Sequence, residues 1–136
     1  MARRERAAAP ASVEWNGERE MELPERNGVL AMPRKRGAGV SLARLQAEPV
    51  TIRPRQGGER LQPASNRPTR TVKNLLQEAS IAAWERDALP FIYSGDTLAC
   101  IPGVAIDHRF QAQPGEASVV PAWRPAASPV RAPRRV

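Results

Sequence analysis

The sequence predicts an α+β domain, in which a small antiparallel sheet packs against one main helix, with disordered basic tails at both ends. The chain has 136 residues, including 14 prolines and 9 glycines, which favours strands and turns over a helix bundle. Short apolar segments alternate with turn residues, and one segment has the apolar spacing of a helix. Because aromatic residues make up only 4% of the chain, the core must be mostly aliphatic.

The first half of the chain carries the strand signals. Turn dipeptides occur at Asn16-Gly17, which alternating residues through Met21 and Leu23 follow, and at Asn27-Gly28, which runs into apolar residues. Gly37 and Gly39 mark a further turn. Residues 50–53 alternate apolar and polar side chains, as a half-buried strand does. Several short strands at close spacing indicate an antiparallel sheet.

The second half carries the helix and a hairpin. The main helix is predicted at about Val72–Ala79, where apolar residues recur at the spacing i, i+3, i+4, i+7, and Thr71 is suited to cap it. A short second helix or turn follows and is stopped by Pro90. Two strands joined at Ser94–Asp96 then predict a hairpin.

The ends of the chain predict tails. Residues 1–12 and 116–136 are rich in alanine, proline and arginine, with too little apolar surface to offset the entropy of ordering. The folded domain is therefore expected at residues 13–115. The N-terminus lacks the apolar stretch of a secretory signal, and no apolar run has the roughly 18–20 residues of a membrane span. The expected compartment is the cytoplasm, with no membrane partner.

Positive charge is concentrated in one segment. The chain has a net charge of +7, and residues 53–73 hold six basic residues against one acidic residue. Residues 13–52 are balanced, and residues 74–115 hold two basic against five acidic residues. One basic segment in a neutral to acidic body favours a polyanion as partner. The alternative is a solvated charged surface with two basic tails.

Catalytic arrangements are missing from the sequence. His108 is the only histidine and Cys100 the only cysteine, so a zinc site lacks ligands and a disulfide lacks a partner. Cys100 lies in an apolar strand, where a packed thiol is more common than a nucleophile. The chain contains neither a P-loop nor a G-x-G-x-x-G motif. We therefore expect no catalytic, cofactor-binding or metal-binding residue in it.

The segment RPRQGGERLQP is the strongest candidate for a binding site. Gly57 and Gly58 can adopt positive φ and let a backbone approach closely. Arginine can form bidentate bonds to phosphate oxygens, and the start of the following helix also favours an anion. The alternative is a solvated hairpin turn, in which Glu59 pairs with a neighbouring arginine.

From Ile52 to Gly103 the sequence resembles the C-terminal domain of the tRNA(Ile)-lysidine synthase family. That pattern has R-x-R before a four-residue turn of Gly, then Gly or Asp, then Glu or Asp, then Arg. A lysine opens the following helix, an arginine precedes Leu-Pro, and a strand ends at Pro-Gly. The positions that match it are Arg53, Arg55, Gly57, Gly58, Glu59, Arg60, Pro63, Lys73, Trp84, Arg86, Pro90, Pro102 and Gly103.

The resemblance implies a role in tRNA modification. Enzymes of this family use ATP, with Mg²⁺, to activate a cytidine of the tRNA(Ile) anticodon, which lysine then attacks. Their pyrophosphate loop lies N-terminal to this domain and is not in this sequence, so the resemblance implies a piece that holds the tRNA on its acceptor-stem side. The predicted RNA-binding residues, taken from the loop and from the basic cluster at the helix start, are Arg53, Arg55, Gly57, Gly58, Arg60, Arg67, Arg70 and Lys73.

Two other functions stay open at this point. The domain could be a structural module that packs on the N-terminal catalytic domain or forms a homodimer, with its arginines in intramolecular ion pairs. It could also be a small binder of a phosphorylated metabolite. Nearly no aromatic residue lies in the basic segment, which argues against base stacking and single-strand readout.

Overall fold

A computed structural model describes residues 12–24, 28–81, 83–86 and 88–125 of the chain. In chain order, the strands are β1 (Val13–Trp15), β2 (Glu20–Leu23), β3 (Gly28–Ala31), β4 (Arg34–Arg36), β5 (Val40–Ser41), β6 (Val50–Arg53), β7 (Arg60–Leu61), β8 (Arg70–Thr71), β9 (Phe91–Ser94), β10 (Thr97–Ile101), β11 (Ala105–Ile106), β12 (Ala117–Val119) and β13 (Ala122–Pro125). The helices are α1 (Leu42–Leu45), α2 (Val72–Glu78) and α3 (Ala83–Arg86), and a 3-10 turn spans His108–Phe110. The α+β prediction is confirmed.

A five-stranded antiparallel sheet in the order β1-β6-β9-β10-β11 forms the centre of the fold. Strands β9 and β10 form the predicted hairpin around Gly95-Asp96. In β6, Val50 and Ile52 are buried while Thr51 and Arg53 are half-buried, which confirms the predicted alternation. Since neighbouring side chains point to opposite faces of a strand, Arg53 lies on the other side of the sheet from Ile52.

Helix α2 covers one face of the central sheet. Its Val72, Leu75 and Leu76 are buried in one apolar cluster with Phe91 and Leu98 of the central sheet. The Thr71 hydroxyl accepts a hydrogen bond from the backbone N–H of Asn74, so Thr71 caps the helix as predicted. The predicted helix boundaries, about Val72–Ala79, are also confirmed, because Ala79 is the C-terminal cap.

Two smaller sheets cover the opposite face. Their strand orders are β4-β12-β5 and β13-β3-β2, and all pairings are antiparallel. Leu30 and Val119 from these sheets are buried with Ile52, Ile92 and Cys100 of the central sheet in a second apolar cluster. The central sheet is therefore enclosed between a helical layer and a layer of short strands. Within the described ranges, no helix is both long and apolar enough to cross a bilayer.

The prediction that residues 116–136 form a tail is wrong for residues 117–125. Strand β12 pairs with both β4 and β5, and β13 pairs with β3. Val119 is fully buried. The prolines and small residues of this segment are typical of a tail, but the segment gains backbone hydrogen bonds and burial from strands far away in the chain, which local patterns cannot show. The other predicted tail residues, 1–11 and 126–136, lie outside the described residues.

The Asn16-Gly17 turn does not close a hairpin. Strand β1 pairs with β6 and strand β2 pairs with β3, so this turn carries the chain from the central sheet into a small sheet. Gly17 has φ of +97°, which suits glycine at such a corner. In the second predicted turn, Asn27 lies outside the described residues, while β2 and β3 on either side of that turn are antiparallel neighbours.

Candidate nucleic-acid interface

The glycine-containing loop connects β6 to β7 and is open to solvent. Gly57 and Gly58 have φ of +100° and +83°, in the left-handed region that favours glycine. A Cβ atom built on either residue would meet no other atom within 4 Å. The glycines are therefore required by the backbone conformation and not by crowding, and the space above them is available to a ligand.

Glu59 occupies two of the backbone hydrogen-bond donors of this loop. Its Oε2 accepts from the backbone N–H of Gln56 at 2.6 Å, and its Oε1 accepts from the N–H of Gly57 at 2.9 Å. The alternative of an ion pair between Glu59 and a neighbouring arginine is wrong for the described residues, in which the carboxylate binds only backbone N–H groups. An anion at this loop is therefore attracted by side chains and not by these amides.

The start of α2 is tied to the same loop. Arg60 pairs with Thr71 in the β7–β8 ladder, and the N–H of Val72 donates to the carbonyl oxygen of Glu59 at 2.9 Å. The N–H of Asn74 donates to the Thr71 hydroxyl at 3.2 Å. The structure thus joins the loop and the helix start, as predicted, but two of the first helical N–H groups have protein acceptors.

The loop, β7 and the first turn of α2 each carry one cationic side chain that has no partner among the described residues. Arg60 and Lys73 are exposed and Arg55 is half-buried. In the part of the chain that the structure describes, none of the three makes a side-chain hydrogen bond or an ion pair. Arg60 lies opposite the residue that caps α2, and Lys73 lies in the first turn of that helix. Their charges are available to a ligand.

The half-buried Arg53 side chain is bonded to other groups of the protein. Its guanidinium lies 4.3 Å from the centre of the Tyr93 ring, and its Nε and Nη2 donate to Thr51 Oγ1 and to the Gly95 carbonyl, each at 2.9 Å. Asp96 is 3.5 Å away. Burial raises the pKa of Tyr93, and the charge of Glu59 adds to this, while Arg53 opposes it. Arg53 thus ties the end of β6 to the β9–β10 hairpin.

Arg67 and Arg70 lie along a separate groove of about 1000 Å³. The groove runs between the loop after β7, the end of α2 and the β10–β11 turn, and is lined by Leu75, Glu78 and Val104 among others. Arg70 is ion-paired with Glu78. Arg67 is exposed on the loop. The predicted site residues therefore fall into three groups, and only the loop group combines open glycines with unpaired cations.

Sequence reasoning missed several cations outside the basic segment. Arg36 donates to the carbonyl of Gly115 at 3.0 Å, and Arg44 donates to the carbonyl of Arg109 at 3.0 Å. Arg44 lies in a segment with balanced charge and Arg109 in an acidic one, so counting charge along the chain gave no signal. The tertiary structure brings Arg44 and Arg109 into one cleft with Ser65 and Asn66 of the loop that follows β7.

No group of three or more metal-binding side chains occurs among the described residues. Cys100 is buried, and burial raises the pKa of its thiol to about 12. The thiol is thus protonated at neutral pH, as expected of a packed side chain.

These features define a small α+β domain that presents a cationic glycine loop to solvent. The chain belongs to the family described as TilS substrate C-terminal domain, whose profile matches residues 50–123.

Curated relatives share this similarity over most of the chain. The tRNA(Ile)-lysidine synthase of Nitrosomonas europaea is 42% identical over 116 residues, which are 85% of this chain and 25% of that protein. The tRNA(Ile)-lysidine synthase of Coxiella burnetii is 41% identical over 101 residues, which are 74% of this chain and 22% of that protein. The matched part of this chain therefore spans about a quarter of the length of these relatives.

A solved structure shares the fold. The protein described as the crystal structure of the TILS C-terminal domain superposes with a TM-score of 0.55 and 19% identity, covering 76% of this chain and 88% of that one. This likeness supports the architecture of sheets and helix.

Proposed function

We propose that this chain is the substrate-docking domain of a tRNA(Ile)-lysidine synthase and acts in the cytoplasm. The parent enzyme would join lysine to the wobble cytidine of the AUA-reading tRNA(Ile), using ATP and Mg²⁺ bound by its N-terminal catalytic domain. The domain described here would supply no catalytic group. It would hold the tRNA on the acceptor-stem side, away from the reacting base.

The observation that carries this proposal is the open loop with its unpaired cations. Arg55 lies in the loop with the two glycines, Arg60 begins the strand that follows it, and Lys73 lies in the first turn of α2, whose start is bonded to the loop. A Cβ atom on either glycine would meet no other atom within 4 Å. Arginine binds phosphate through a planar fork of N–H donors, and a positively charged patch on a rigid frame attracts a polyanion. The strand pairing of Arg60 and the capped start of α2 hold two of these side chains on such a frame.

Duplex RNA suits this surface better than single-stranded RNA. Proteins read an RNA duplex mainly through its phosphates, its 2′-hydroxyls and its shape, which requires cations and not stacking platforms. The segment 53–73 contains no aromatic residue on which a base could stack. A grip on a remote arm is useful because it orients the reacting base elsewhere in the complex.

Titration of the 136-residue chain with tRNA at two salt concentrations tests the proposal. Binding should weaken steeply as salt rises, because contacts with phosphates release counterions. We expect Arg55→Ala and Arg60→Ala each to weaken binding about fivefold and to lower the salt slope by about one unit. Both side chains lack partners among the described residues, so the melting temperature should stay within a few degrees.

Arg19→Ala is the matched control, because it removes the same charge from an exposed side chain between β1 and β2. It should affect tRNA binding much less than either loop variant. If both loop variants lose thermal stability and keep their tRNA affinity, the loop arginines serve packing and the proposal is wrong. If a phosphorylated metabolite raises the melting temperature and tRNA does not, the domain is a metabolite binder.

A structural module is the second candidate, and one observation favours it. Arg53 and Arg70 already use their charges inside the chain, on Tyr93 and Asp96 and on Glu78 respectively. A module that packs on the catalytic domain or forms a homodimer would show a concentration-dependent mass by light scattering or binding to the separate catalytic domain. The same variants at the loop would then weaken association with protein and leave tRNA binding unchanged.

A further inference from the structure

A second basic cleft lies beside the loop that follows β7. It has a volume of about 480 Å³ and is bounded by α1, by that loop and by the 3-10 turn. Arg44, His108 and Arg109 line it together with polar side chains such as Ser65, Asn66 and Gln113. No acidic side chain is among the described residues that line the cleft, so its surface is neutral to basic.

The two arginines of this cleft are fixed in place. Arg109 donates from Nε to Asp107 Oδ1 at 2.8 Å and from Nη2 to Oδ2 at 3.2 Å. Arg44 donates from Nη1 to the carbonyl oxygen of Arg109 at 3.0 Å. A carbonyl orients a guanidinium without neutralising it, so Arg44 keeps its charge and its other donors. Such a side chain loses little conformational entropy when it binds a ligand.

The acidic groups near the cleft are already bound to protein. The Asp107 side chain is buried, and its Oδ2 also accepts from the N–H of Gln62 at 3.2 Å. Glu116 accepts hydrogen bonds from the Ser41 hydroxyl at 2.7 Å and from the N–H of Gln113 at 2.8 Å. Hydrogen bonds from Gln113 and Ser41 hold the pKa of Glu116 below its ordinary value, and the charge of Arg44 adds to this. Asp107 is ion-paired with Arg109, whose side chain remains 59% exposed. Both acidic groups thus offset part of the positive charge, but neither lines the cleft among the described residues.

Hydrogen bonds connect the cleft to the basic segment. The N–H of His108 donates to the carbonyl of Gln62 at 2.8 Å, and the Gln111 side chain donates to the carbonyl of Pro63 at 2.7 Å. Gln62 follows β7 directly, and β7 begins at Arg60. The cleft is therefore connected to the strand that follows the glycine loop through hydrogen bonds to Gln62 and Pro63.

We propose that this cleft is a second contact for the phosphate backbone of the RNA duplex, held by Arg44 and Arg109. This inference rests on the proposed function and extends the same interface. A duplex presents phosphates at regular intervals along both strands, so a protein that grips it in two places fixes its direction as well as its position. Neutral polar side chains at the cleft, Ser65 and Asn66, suit the 2′-hydroxyls that flank phosphates in RNA.

Arg44→Gln tests the cleft in the 136-residue chain. The glutamine removes the charge but keeps an amide donor on an exposed helical position, so the fold should be retained. We expect the Kd for tRNA to rise about fivefold and the salt slope to fall by about one unit. Arg44→Lys should recover most of the affinity, because it restores the charge. Arg109 is a poor probe, since its removal would leave Asp107 buried without its cation.

The controls separate this inference from the proposed function. Arg19→Gln removes one charge from an exposed residue that does not line the cleft and should leave the Kd nearly unchanged. If Arg44→Gln binds tRNA like the wild type while Arg55→Ala is weakened, the cleft is not a contact, although the docking function stands. If Arg44→Gln, Arg55→Ala and Arg60→Ala all bind like the wild type, both proposals are wrong. If Arg44→Gln lowers affinity and Arg44→Lys does not recover it, the charge is not what binds and the inference fails.

Discussion

At the scale of single residues, Glu59 controls what the glycine loop offers to a ligand. Its carboxylate binds the N–H groups of Gln56 and Gly57, where a phosphate would otherwise be bound by the backbone. It is also the only acidic residue between positions 53 and 73. Glu59 therefore keeps the loop ordered and at the same time reduces the positive potential around it.

Glu59→Gln should have opposite effects on stability and on RNA binding. Loss of a charge-assisted acceptor should lower the free energy of unfolding by about 1 kcal/mol. The loss is small because the two exposed N–H groups can form hydrogen bonds with water instead. Loss of the negative charge should tighten tRNA binding severalfold at low salt, and less at high salt. Urea denaturation and tRNA titration measure the two effects.

Glu22→Gln is the control for this variant, because it removes the same charge from an exposed position on β2. It should alter neither quantity appreciably. Weaker tRNA binding by Glu59→Gln would show that the shape of the loop, and not its potential, governs binding.

At the scale of structural elements, Asp107 joins the 3-10 turn to β7. It accepts hydrogen bonds from the backbone N–H of Gln62 and Arg109 and from the Arg109 guanidinium. Burial alone would raise the pKa of Asp107, but the hydrogen bonds from Arg109 and Gln62 outweigh it and hold the pKa below its ordinary value of 3.8. The ionised form is therefore the one that stabilises this junction.

Asp107→Asn should destabilise the chain in a pH-dependent way. A carboxyl whose pKa is lower in the folded state contributes its full stabilisation above its unfolded pKa and loses it as pH falls towards the folded value. At pH 7 we expect the variant to lose about 1.5–3 kcal/mol of unfolding free energy, the range for hydrogen bonds to a charged group. The difference in unfolding free energy between the variant and the wild type should shrink as the pH falls below 3.8, the ordinary pKa of an aspartate.

Urea denaturation of both proteins at pH 7, 5 and 3 measures this difference, and the other carboxylates cancel in the comparison. A constant difference over that range would mean that the charge of Asp107 contributes nothing.

At the scale of the whole molecule, the last described strands complete sheets begun by the first. Strand β12 lies between β4 and β5, and β13 lies beside β3. Val119 of β12 is fully buried in the cluster that also holds Leu30 and Ile52. The segment 117–125 is therefore part of the fold, and its removal should affect the entire domain.

A chain that ends after Gly115 should lose its cooperative unfolding transition. A buried valine side chain alone contributes about 1.5–3 kcal/mol, and β12 also satisfies the backbone groups of two neighbouring strands. These losses are large against a total stability of about 5–15 kcal/mol. Thermal denaturation followed by circular dichroism measures the outcome.

The matched control is a chain that ends after Pro125, which keeps both strands and should melt like the full chain. A sharp transition at an unchanged temperature in the shorter chain would show that the first 115 residues fold without β12 and β13.

The features that could be predicted from the sequence depend on residues that are close together in the chain. The cap and stripe of α2, the β9–β10 hairpin and the alternation in β6 depend on residues a few positions apart, and all three agree with the structure. The positive φ of Gly57 and Gly58 is local in the same sense.

What could not be predicted depends on distant residues. The carbonyl of Gly95 that binds Arg53 lies 42 positions away, and the one that binds Arg44 lies 65 positions away. Strand β12 could not be predicted from its own residues because it is stabilised by pairing with β4 and β5. The same holds for the candidate site, since only the folded chain separates arginines held by protein groups from those left for a ligand.

The position of β12 also has a consequence for how fast the chain folds. The bond between Arg36 and the carbonyl of Gly115 joins residues 79 positions apart, next to the β4–β12 ladder. Closing so long a loop costs entropy before the ladder returns any enthalpy, and topologies with distant pairings fold slowly. The rate-limiting step of folding should therefore be the pairing of β12 with β4 and β5.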